Sequence, residues 1–412
     1  MVLSLSSLVS HIPACFDYIP KTIPSSGGGA AGINTAQTLA KNLEPSDNTD
    51  VVLLEKSSYF YHVVGAPRAF VDAKYTSKMF IPYENAIPSY AVKFVQIIRG
   101  VAIGLSVNPN EVLYHAIDSD DREGNVTEKL EFDYLVLATG STYSVPIKPD
   151  IQDFARSVVE TKLQEVRVHI EKAEKIVVVG GGAVGCEVAA EIKSKWPDKS
   201  VMIVEANERL VSGNNLNDKF YAKLNSSLNK LGVKVIRGER LMERLCGNVF
   251  EKRMLRTDKG TNIEADIQLL CGGFTPVVSL VQELDASLIT ERGAVKVNSH
   301  LQVEGERYAH LFALGDMCSH PAPKMAYIAG EQGKFLAGEL AAVIHKKQRG
   351  FTNPFKVPAV AAMILPLGPS GGVSQLPVWG GVVVGDWITW LLKSRDYFSG
   401  RIWASIGATV PN

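Results

Sequence analysis

Two glycine-rich motifs are the clearest chemical signal in this chain. Each fits the pattern G-x-G-x-x-G, and each is followed by an apolar run that ends in an acid. The motifs are Gly27-Gly28-Gly29-Ala30-Ala31-Gly32, which leads to Glu55, and Gly180-Gly181-Gly182-Ala183-Val184-Gly185, which leads to Glu205. Such glycines let the backbone approach a pyrophosphate at a helix N-terminus, and the acid accepts ribose hydroxyls. Two motifs predict two bound dinucleotides, with a hydride passing from one to the other.

The second motif follows an intact strand. Residues 175–179 read Lys-Ile-Val-Val-Val, the composition of a buried parallel strand. We expect Gly180, Gly182, Gly185 and Glu205 to bind NAD(P)H. Glu205 favours NADH through the ribose 2′-hydroxyl, whereas Lys199 and Arg209 are cations that could bind the 2′-phosphate of NADPH. The alternative is a nucleotide-binding fold kept for structure alone.

The order of elements places the second unit inside the first. The pattern predicts a helix over 32–43 and strands near 94–98, 111–114 and 134–137, and after the second motif helices to 195 and over 215–231. Residues 309–316 then form an apolar strand that ends in Gly315 and Asp316, typical of the last part of an FAD-binding domain, and a helix follows at about 324–346. Asp316 would accept hydrogen bonds from the flavin ribityl hydroxyls, or it caps the helix.

We therefore predict an α/β fold of two Rossmann-like domains and a small C-terminal segment. The discontinuous FAD-binding domain comprises residues 21–147 and 275–350, and the inserted NAD(P)H-binding domain comprises residues 148–274. The C-terminal segment comprises residues 351–412, and we expect residues 1–20 to be poorly ordered.

The strand that should precede Gly27 is anomalous. Residues 21–26 read Lys-Thr-Ile-Pro-Ser-Ser where four or five apolar residues are expected, and Pro24 lacks the N–H that a central strand needs. Either the gene model has lost the true strand, or the strand is irregular and flavin affinity is reduced. We favour the first interpretation because everything after Gly27 fits the motif.

Three further side chains could act beside the motifs. Arg68 is a cation in the loop where the flavin phosphates or ring should lie, or else a surface arginine. Glu187, one turn into the helix after the second motif, could orient the nicotinamide carboxamide or relay a proton, or it could simply stabilise the helix N-terminus. His62 is interpreted as a packed or solvent-facing histidine in preference to a catalytic one.

Composition excludes several classes of function. Lys plus Arg and Asp plus Glu both total 43, so no basic field exists for nucleic acid. The five cysteines lack any C-x-x-C spacing, which argues against a disulfide framework or a metal site, and residues 56–72 contain no cysteine for a dithiol relay. Electrons must then leave the reduced flavin directly. Val2 in place of glycine argues against N-myristoylation, and no apolar stretch is long enough to predict a spanning helix.

At these residues the chain resembles the family of apoptosis-inducing-factor-like, mitochondrion-associated NAD(P)H oxidoreductases. The match covers about 27–400 and is most specific over 180–192, 298–316, 323–330 and 393–398. The resemblance implies an FAD enzyme that reduces quinones, with the C-terminal segment covering the flavin and quinone site, and association of some members with membranes or lipid droplets. Carried over to this chain, it implies FAD contacts at residues 27–31, Arg68, Ala102 and Asp316, with Lys324 and Met325 beside the flavin and Lys393 in the covering segment.

Together these features predict an FAD-dependent NAD(P)H oxidoreductase with a ping-pong cycle and a quinone-type acceptor. Glu187, Lys324 and Lys393 are the candidate catalytic residues. Oxygen, an ascorbate radical or a protein is the alternative acceptor, and a signalling protein with weak or lost turnover is the alternative function.

Location and partners follow from the same features. Trp387, Trp390, Leu391 and Leu392, near helical spacing, predict an apolar lip or a membrane contact, or else core packing. We expect a monomer or homodimer without nucleic acid, in the cytoplasm with peripheral contact to a membrane or lipid droplet, or alternatively in the mitochondrion.

Overall fold

The computed structural model describes residues 27–348, 350–357 and 361–411, together with the backbone of Val2 and Leu3. In chain order the strands are β1 (Val2–Leu3), β2 (Val51–Glu55), β3 (Tyr59–Tyr61), β4 (Phe80–Pro82), β5 (Val95–Val107), β6 (Asn110–Ile117), β7 (Glu123–Glu131), β8 (Tyr134–Leu137), β9 (Ser141–Thr142), β10 (Lys175–Val179), β11 (Ser200–Glu205), β12 (Lys234–Arg237), β13 (Arg253–Arg256), β14 (Asn262–Ala265), β15 (Ile267–Leu270), β16 (Thr275–Pro276), β17 (Leu311–Ala313), β18 (Met363–Pro366), β19 (Gly372–Leu376) and β20 (Val382–Val384). The α-helices are α1 (Ala30–Asn42), α2 (Ala66–Ala69), α3 (Arg156–Lys172), α4 (Ala183–Lys195), α5 (Asp218–Lys230), α6 (Ser279–Leu284), α7 (Ala326–Ile344), α8 (Asp386–Thr389) and α9 (Ser399–Ser405), and a π-helical turn spans Trp390–Ser394.

The first sheet has seven strands in the order β17-β8-β1-β2-β5-β6-β7. The pairs β2–β5 and β8–β17 are parallel, whereas β1 runs antiparallel to both of its neighbours, β2 and β8. The two residues of β1 thus lie in the central position where the strand before the first glycine motif is expected. Residues 21–26, on which that expectation rests, lie outside the described residues.

Helix α1 follows the first glycine motif and packs against α7. The contact is close because Gly333 presents no side chain: a Cβ there would lie 2.4 Å from the carbonyl oxygen of Ala31 and 2.7 Å from Oγ1 of Thr35. Both helices bury apolar faces in the core that covers the first sheet, with Leu39 and Leu336 fully buried. Helix α7, which follows Asp316, is therefore packed directly against helix α1, which follows Gly27.

The second sheet is wholly parallel, in the order β12-β11-β10-β15. Its central strands are apolar on both faces, as expected for strands covered on both sides. Helix α4 follows β10 and buries all its residues from Gly185 to Ile192. The predicted elements over 175–205 are therefore present, and α5 begins at Asp218, three residues later than the pattern indicated. The division into domains stays a prediction.

The C-terminal segment forms a small antiparallel sheet, β18-β19-β20, followed by α8, the π-helical turn and α9. Leu365, Val373 and Tyr397 share one apolar core with Val188 and Ile192 of α4. The same core contains Phe70 and Tyr75 from the first unit. This shared core fixes the C-terminal segment against helix α4.

Candidate active site

Both glycine motifs begin in the same way. The N–H of Gly27 donates to the carbonyl of Leu54 at 3.1 Å, and the N–H of Gly180 donates to that of Val204 at 2.9 Å. The φ angles of Gly27 and Gly180 are 135° and 109°, values that non-glycine residues rarely adopt. Each motif therefore turns the chain beside the end of the strand that carries its acid.

The two acids, Glu55 and Glu205, make equivalent contacts. The carboxylate of Glu55 accepts hydrogen bonds from the N–H groups of Gly28 and Ser57. The carboxylate of Glu205 accepts from the N–H of Gly181 at 2.6 Å and from that of Asn207 at 2.8 Å. Both acids are buried and anchored next to the glycines, and their binding of ribose hydroxyls stays a prediction.

Each motif is open at its third glycine and closely packed at its second. A Cβ on Gly29 or Gly182 would meet no atom of the described residues within 4 Å, whereas one on Gly28 or Gly181 would clash at 2.3 Å. Helices α1 and α4 begin directly after Gly29 and Gly182, so their first N–H groups have no intrahelical acceptor. Ala30, Ala31 and Gly32 form the first turn of α1. Open space in front of two helix N-termini suits the pyrophosphates of FAD and NAD(P)H.

Asp316 lies in a short turn after β17, where Gly315 has φ 70°. Its Oδ2 accepts hydrogen bonds from Oγ of Ser141 at 2.7 Å and from Nζ of Lys148 at 2.9 Å. Burial alone would raise the pKa of Asp316, but Lys148 and Ser141 hold it below its usual value. Neither partner is predicted from the sequence, although Ser141 directly follows the small residues Ala138-Thr139-Gly140 at the end of β8.

Lys324 lies before α7 and stabilises the same turn. Its ammonium donates to the carbonyl oxygens of Gly315 at 3.1 Å, Cys318 at 2.6 Å and His320 at 3.2 Å. Lys324 also lines a cleft together with Asp316 and Met325, beside the start of α7. Its catalytic role stays a prediction.

The other two candidate catalytic residues meet in a buried ion pair. Nζ of Lys393, from the π-helical turn, lies 2.8 Å from Oε1 of Glu187 on α4, and the two side chains are 11% and 5% exposed. Lys393 also donates to the carbonyl of Ile364 at 3.3 Å. Burial raises the pKa of Glu187, and the charge of Lys393 opposes that rise. The C-terminal segment thus brings a cation to the carboxyl that follows the second glycine motif.

Arg68 and Ala102, both predicted FAD contacts, lie on different elements, α2 and β5. The guanidinium of Arg68 forms a fork with Glu191 on α4, at 2.7 and 2.8 Å. Ala102 lies in β5 opposite Tyr114, next to an irregularity in the β5–β6 pairing. Their roles toward FAD stay predictions.

His62 is fully buried, contrary to a solvent-facing position. Neither ring nitrogen of His62 meets hydrogen-bond geometry with any of the described residues. Burial lowers its pKa to about 4, and the nearby charge of Lys393 contributes in the same direction. The ring is therefore a packed, neutral imidazole at neutral pH.

Several large apolar side chains of the C-terminal segment are exposed. Trp379, Trp387 and Leu391 of the C-terminal segment are 94%, 70% and 48% exposed, so core packing is wrong for Trp387 and Leu391. Within the described ranges no helix has the length and apolar character needed to cross a membrane. The thiols of Cys186, Cys246, Cys271 and Cys318 are free.

Comparison with known proteins shows the family of this chain. The family model described as pyridine nucleotide-disulphide oxidoreductase matches residues 27–333. Ferroptosis suppressor protein 1 of Taeniopygia guttata is 32% identical, over 94% of this chain and 96% of that protein. The Homo sapiens protein of the same name is 31% identical, over 93% and 95%. Apoptosis-inducing factor homolog B of Dictyostelium discoideum is 30% identical, over 93% and 96%.

Solved structures show the same fold at lower identity. The structure of NDH2 from Plasmodium falciparum in complex with NADH has a TM-score of 0.70 at 14% identity and covers 93% of this chain and 97% of that one. The NADH-bound water-forming NADH oxidase of Lactobacillus brevis has a TM-score of 0.59 at 18% identity, over 86% and 75%. With its two dinucleotide sites, this chain belongs to the pyridine nucleotide-disulphide oxidoreductase family, in the group of ferroptosis suppressor protein 1 and apoptosis-inducing factor homologues, and is an NAD(P)H-dependent flavoprotein oxidoreductase.

Proposed function

We propose that the electron acceptor is a quinone and that Glu187 and Lys393 provide the proton that its reduction requires. When bound, FAD accepts a hydride from the nicotinamide and passes two electrons to the acceptor. NAD(P)H brings one proton with its two electrons, and a quinone takes up two protons to become a quinol. The second proton must reach the acceptor through a group of the protein or through water.

The buried Glu187–Lys393 pair is the observation that carries this proposal. A carboxyl whose pKa is raised by burial holds a proton closer to neutral pH than an exposed one does, which suits a general acid. The ammonium of Lys393, 2.8 Å away, can stabilise the carboxylate that forms when Glu187 gives up its proton. The absence of cysteine from residues 56–72 supports direct transfer to a small acceptor in place of a dithiol relay.

We also propose that the exposed apolar side chains of the C-terminal segment contact the lipid surface in which a hydrophobic quinone dissolves. Trp387 and Leu391 are four residues apart and therefore lie on one helical face. Leu391 and Lys393 belong to the same π-helical turn, in which Leu391 is exposed and Lys393 is paired with the buried Glu187. A peripheral position on a membrane or lipid droplet, from the cytoplasm or within the mitochondrion, would serve such a site.

Half-reaction kinetics test the proposed acceptor and proton donor. NADH should bleach the flavin absorbance of the wild type, and a short-chain quinone should restore it faster than oxygen, an ascorbate radical or a protein acceptor does. In Glu187→Gln and Lys393→Met the recovery by quinone should slow by about a hundredfold or more, the usual contribution of a general acid. The recovery rate in the wild type should fall as the pH rises through the raised pKa of Glu187.

The control is Arg401→Met, an exposed cation of the same segment, which should keep wild-type rates and flavin content. Recovery by quinone at the wild-type rate in both Glu187→Gln and Lys393→Met, with flavin still bound, would refute the proposed roles. A preference for oxygen or a protein over the quinone would refute the acceptor.

A further inference from the structure

A second buried ion pair lies one helical turn beyond the first. Glu191 is four residues after Glu187 on α4, and Arg68 approaches it from α2. Nε of Arg68 lies 2.7 Å from Oε2 of Glu191, and Nη2 lies 2.8 Å from Oε1. The side chains of Arg68 and Glu191 are 10% and 2% exposed. A two-point contact of this kind fixes direction as well as distance, which a single lysine contact does not.

The same pair holds the turn that carries Lys393. Nη2 of Arg68 also donates to the carbonyl of Ser394 at 2.9 Å, the residue after Lys393. The hydroxyl of Tyr397 donates to Oε1 of Glu191 at 3.0 Å. Three segments distant in sequence therefore meet at one carboxylate.

The ring of Tyr397 connects the two ion pairs. The guanidinium of Arg68 lies 5.0 Å from the ring centroid and Nζ of Lys393 lies 5.5 Å from it, so both cations contact one aromatic face or edge. Tyr397 is fully buried, and its N–H donates to the carbonyl of Lys393 at 2.6 Å.

The backbone at this point requires such support. Tyr397 and Phe398 have φ angles of 53° and 64°, in the left-handed region that non-glycine residues rarely occupy. Residues in this region persist where the surrounding contacts hold them. The hydroxyl of Ser394 adds a further contact by donating to the carbonyl of Gly371 at 2.8 Å.

We infer that Arg68, Glu191 and Tyr397 are positioning residues that set the distance between Lys393 and Glu187, an inference that rests on the proposed function only for its effect on turnover. Breaking a buried pair is costly, whereas replacing it can leave stability unchanged, so stability alone does not explain these groups. Positioning explains them, because Arg68 and Tyr397 both contact Glu191 on α4, and Arg68 also contacts Ser394 in the turn that carries Lys393. In this inference Arg68 holds α4 and the C-terminal turn together and does not contact the flavin.

The test uses the flavin-loaded full chain with variants of graded severity. Tyr397→Phe removes one hydroxyl and keeps the ring, Glu191→Gln removes the charge at constant shape, and Arg68→Lys keeps the charge but cannot fork. Tyr308→Phe is the control, because its hydroxyl also donates to a carboxylate, Asp285 at 3.0 Å, far from this site.

The first readout is the rate at which an amine-acylating reagent modifies Lys393, mapped by mass spectrometry. Loss of one hydrogen bond should raise that rate by about fivefold in Tyr397→Phe, and more in Glu191→Gln and Arg68→Lys, with Lys334 on α7 unchanged. This readout does not depend on the acceptor, so it stands even if quinone reduction proves wrong.

The second readout is the split between kcat and KM. In the three variants kcat for quinone should fall by about tenfold or more, as for a displaced catalytic group, while KM for NADH and the flavin content stay unchanged. Wild-type labelling of Lys393 and wild-type kcat in variants that only melt earlier would overturn the inference. So would loss of flavin in Arg68→Lys with flavin retained in Glu191→Gln, because Arg68 would then be a flavin contact.

Discussion

At the scale of single residues, the surroundings of like side chains decide what they do. Lys199 and Arg209 were both expected as cations for a 2′-phosphate, yet only one remains available. Nζ of Lys199 donates to the carbonyls of Glu171 and Ala173 at 2.8 and 2.6 Å, and Lys199 is buried. The side chain of Arg209 is 58% exposed, with Asp218 at 2.8 Å. Arg209 lies four residues after Glu205, the acid predicted to bind the ribose.

Arg209→Ala should therefore affect NADPH more than NADH. We expect kcat/KM for NADPH to fall by about tenfold, the effect of losing one charge-assisted hydrogen bond to phosphate, while kcat/KM for NADH stays near the wild-type value. Steady-state kinetics with the two coenzymes measure the ratio. Arg292→Ala, at another exposed arginine, is the control. An equal loss with both coenzymes would show that Arg209 does not read the 2′ position.

His62 makes stability depend on pH. Burial lowers its pKa from 6.5 to about 4 in the folded protein, so the unfolded chain takes up the proton first. The stabilisation that the neutral ring gives the folded state is complete above pH 6.5 and is lost as the pH falls toward 4. The loss is about 3 kcal/mol, because each pKa unit corresponds to about 1.4 kcal/mol. His62→Leu should flatten the decline of the urea midpoint between pH 6.5 and 4. His115→Gln, at a partly exposed histidine, should retain the decline, and parallel curves for His62→Leu and wild type would contradict the assignment.

At the scale of elements, the close packing of α1 on α7 links the two parts of the first unit. Gly333→Ala should place a Cβ 2.4 Å from the carbonyl oxygen of Ala31, in the first turn of α1. We expect destabilisation by about 1–3 kcal/mol, as for overpacking, and weaker flavin retention because the first glycine motif must shift. Thermal unfolding and flavin absorbance per chain measure both effects.

Gly338→Ala is the matched control on the same helix. A Cβ at Gly338 would meet no atom of the described residues within 4 Å, so alanine should stabilise α7 by up to about 1 kcal/mol through helix propensity. Equal effects at the two glycines would mean that the α1–α7 contact is looser than the structure has it.

Elements with continuous apolar patterns could be predicted, whereas contacts between distant elements could not. Residues 176–179 and 51–54 are apolar throughout because parallel strands are covered on both faces. Glu55 and Glu205 could be predicted because each ends the strand that follows a glycine motif. The partners in Lys393–Glu187, Arg68–Glu191 and Lys148–Asp316 are 206, 123 and 168 residues apart. The spacing of apolar residues within one helix or strand carries no information about such distant pairs. The first two pairs become visible only when the C-terminal segment and α2 are seen packed on α4.

At the scale of the whole molecule, residues from the units of both glycine motifs and from the C-terminal segment converge on α4. The first unit supplies Arg68, the second supplies Glu187 and Glu191, and the C-terminal segment supplies Lys393 and Tyr397. A site assembled from three units excludes water on its inner side through the apolar core that they share. Its outer side carries Trp387 and Leu391, which are largely exposed.

The exposed side chains of Trp387 and Leu391 should bind the protein to a lipid surface. Full burial of one large apolar side chain in lipid is favourable by about 1.5–3 kcal/mol, and partial burial gives a fraction of that. The double variant Trp387→Ser, Leu391→Ser should therefore weaken binding to phospholipid vesicles by at least about tenfold. Reduction of a long-chain quinone embedded in those vesicles should fall with binding, while reduction of a short-chain quinone in water stays unchanged. Met242→Ser combined with Met254→Ser removes two comparably exposed apolar side chains elsewhere and should leave both binding and turnover intact. If the tryptophan–leucine variant binds vesicles as the wild type does, the exposed face does not meet lipid, and the quinone must reach the Glu187–Lys393 pair from water.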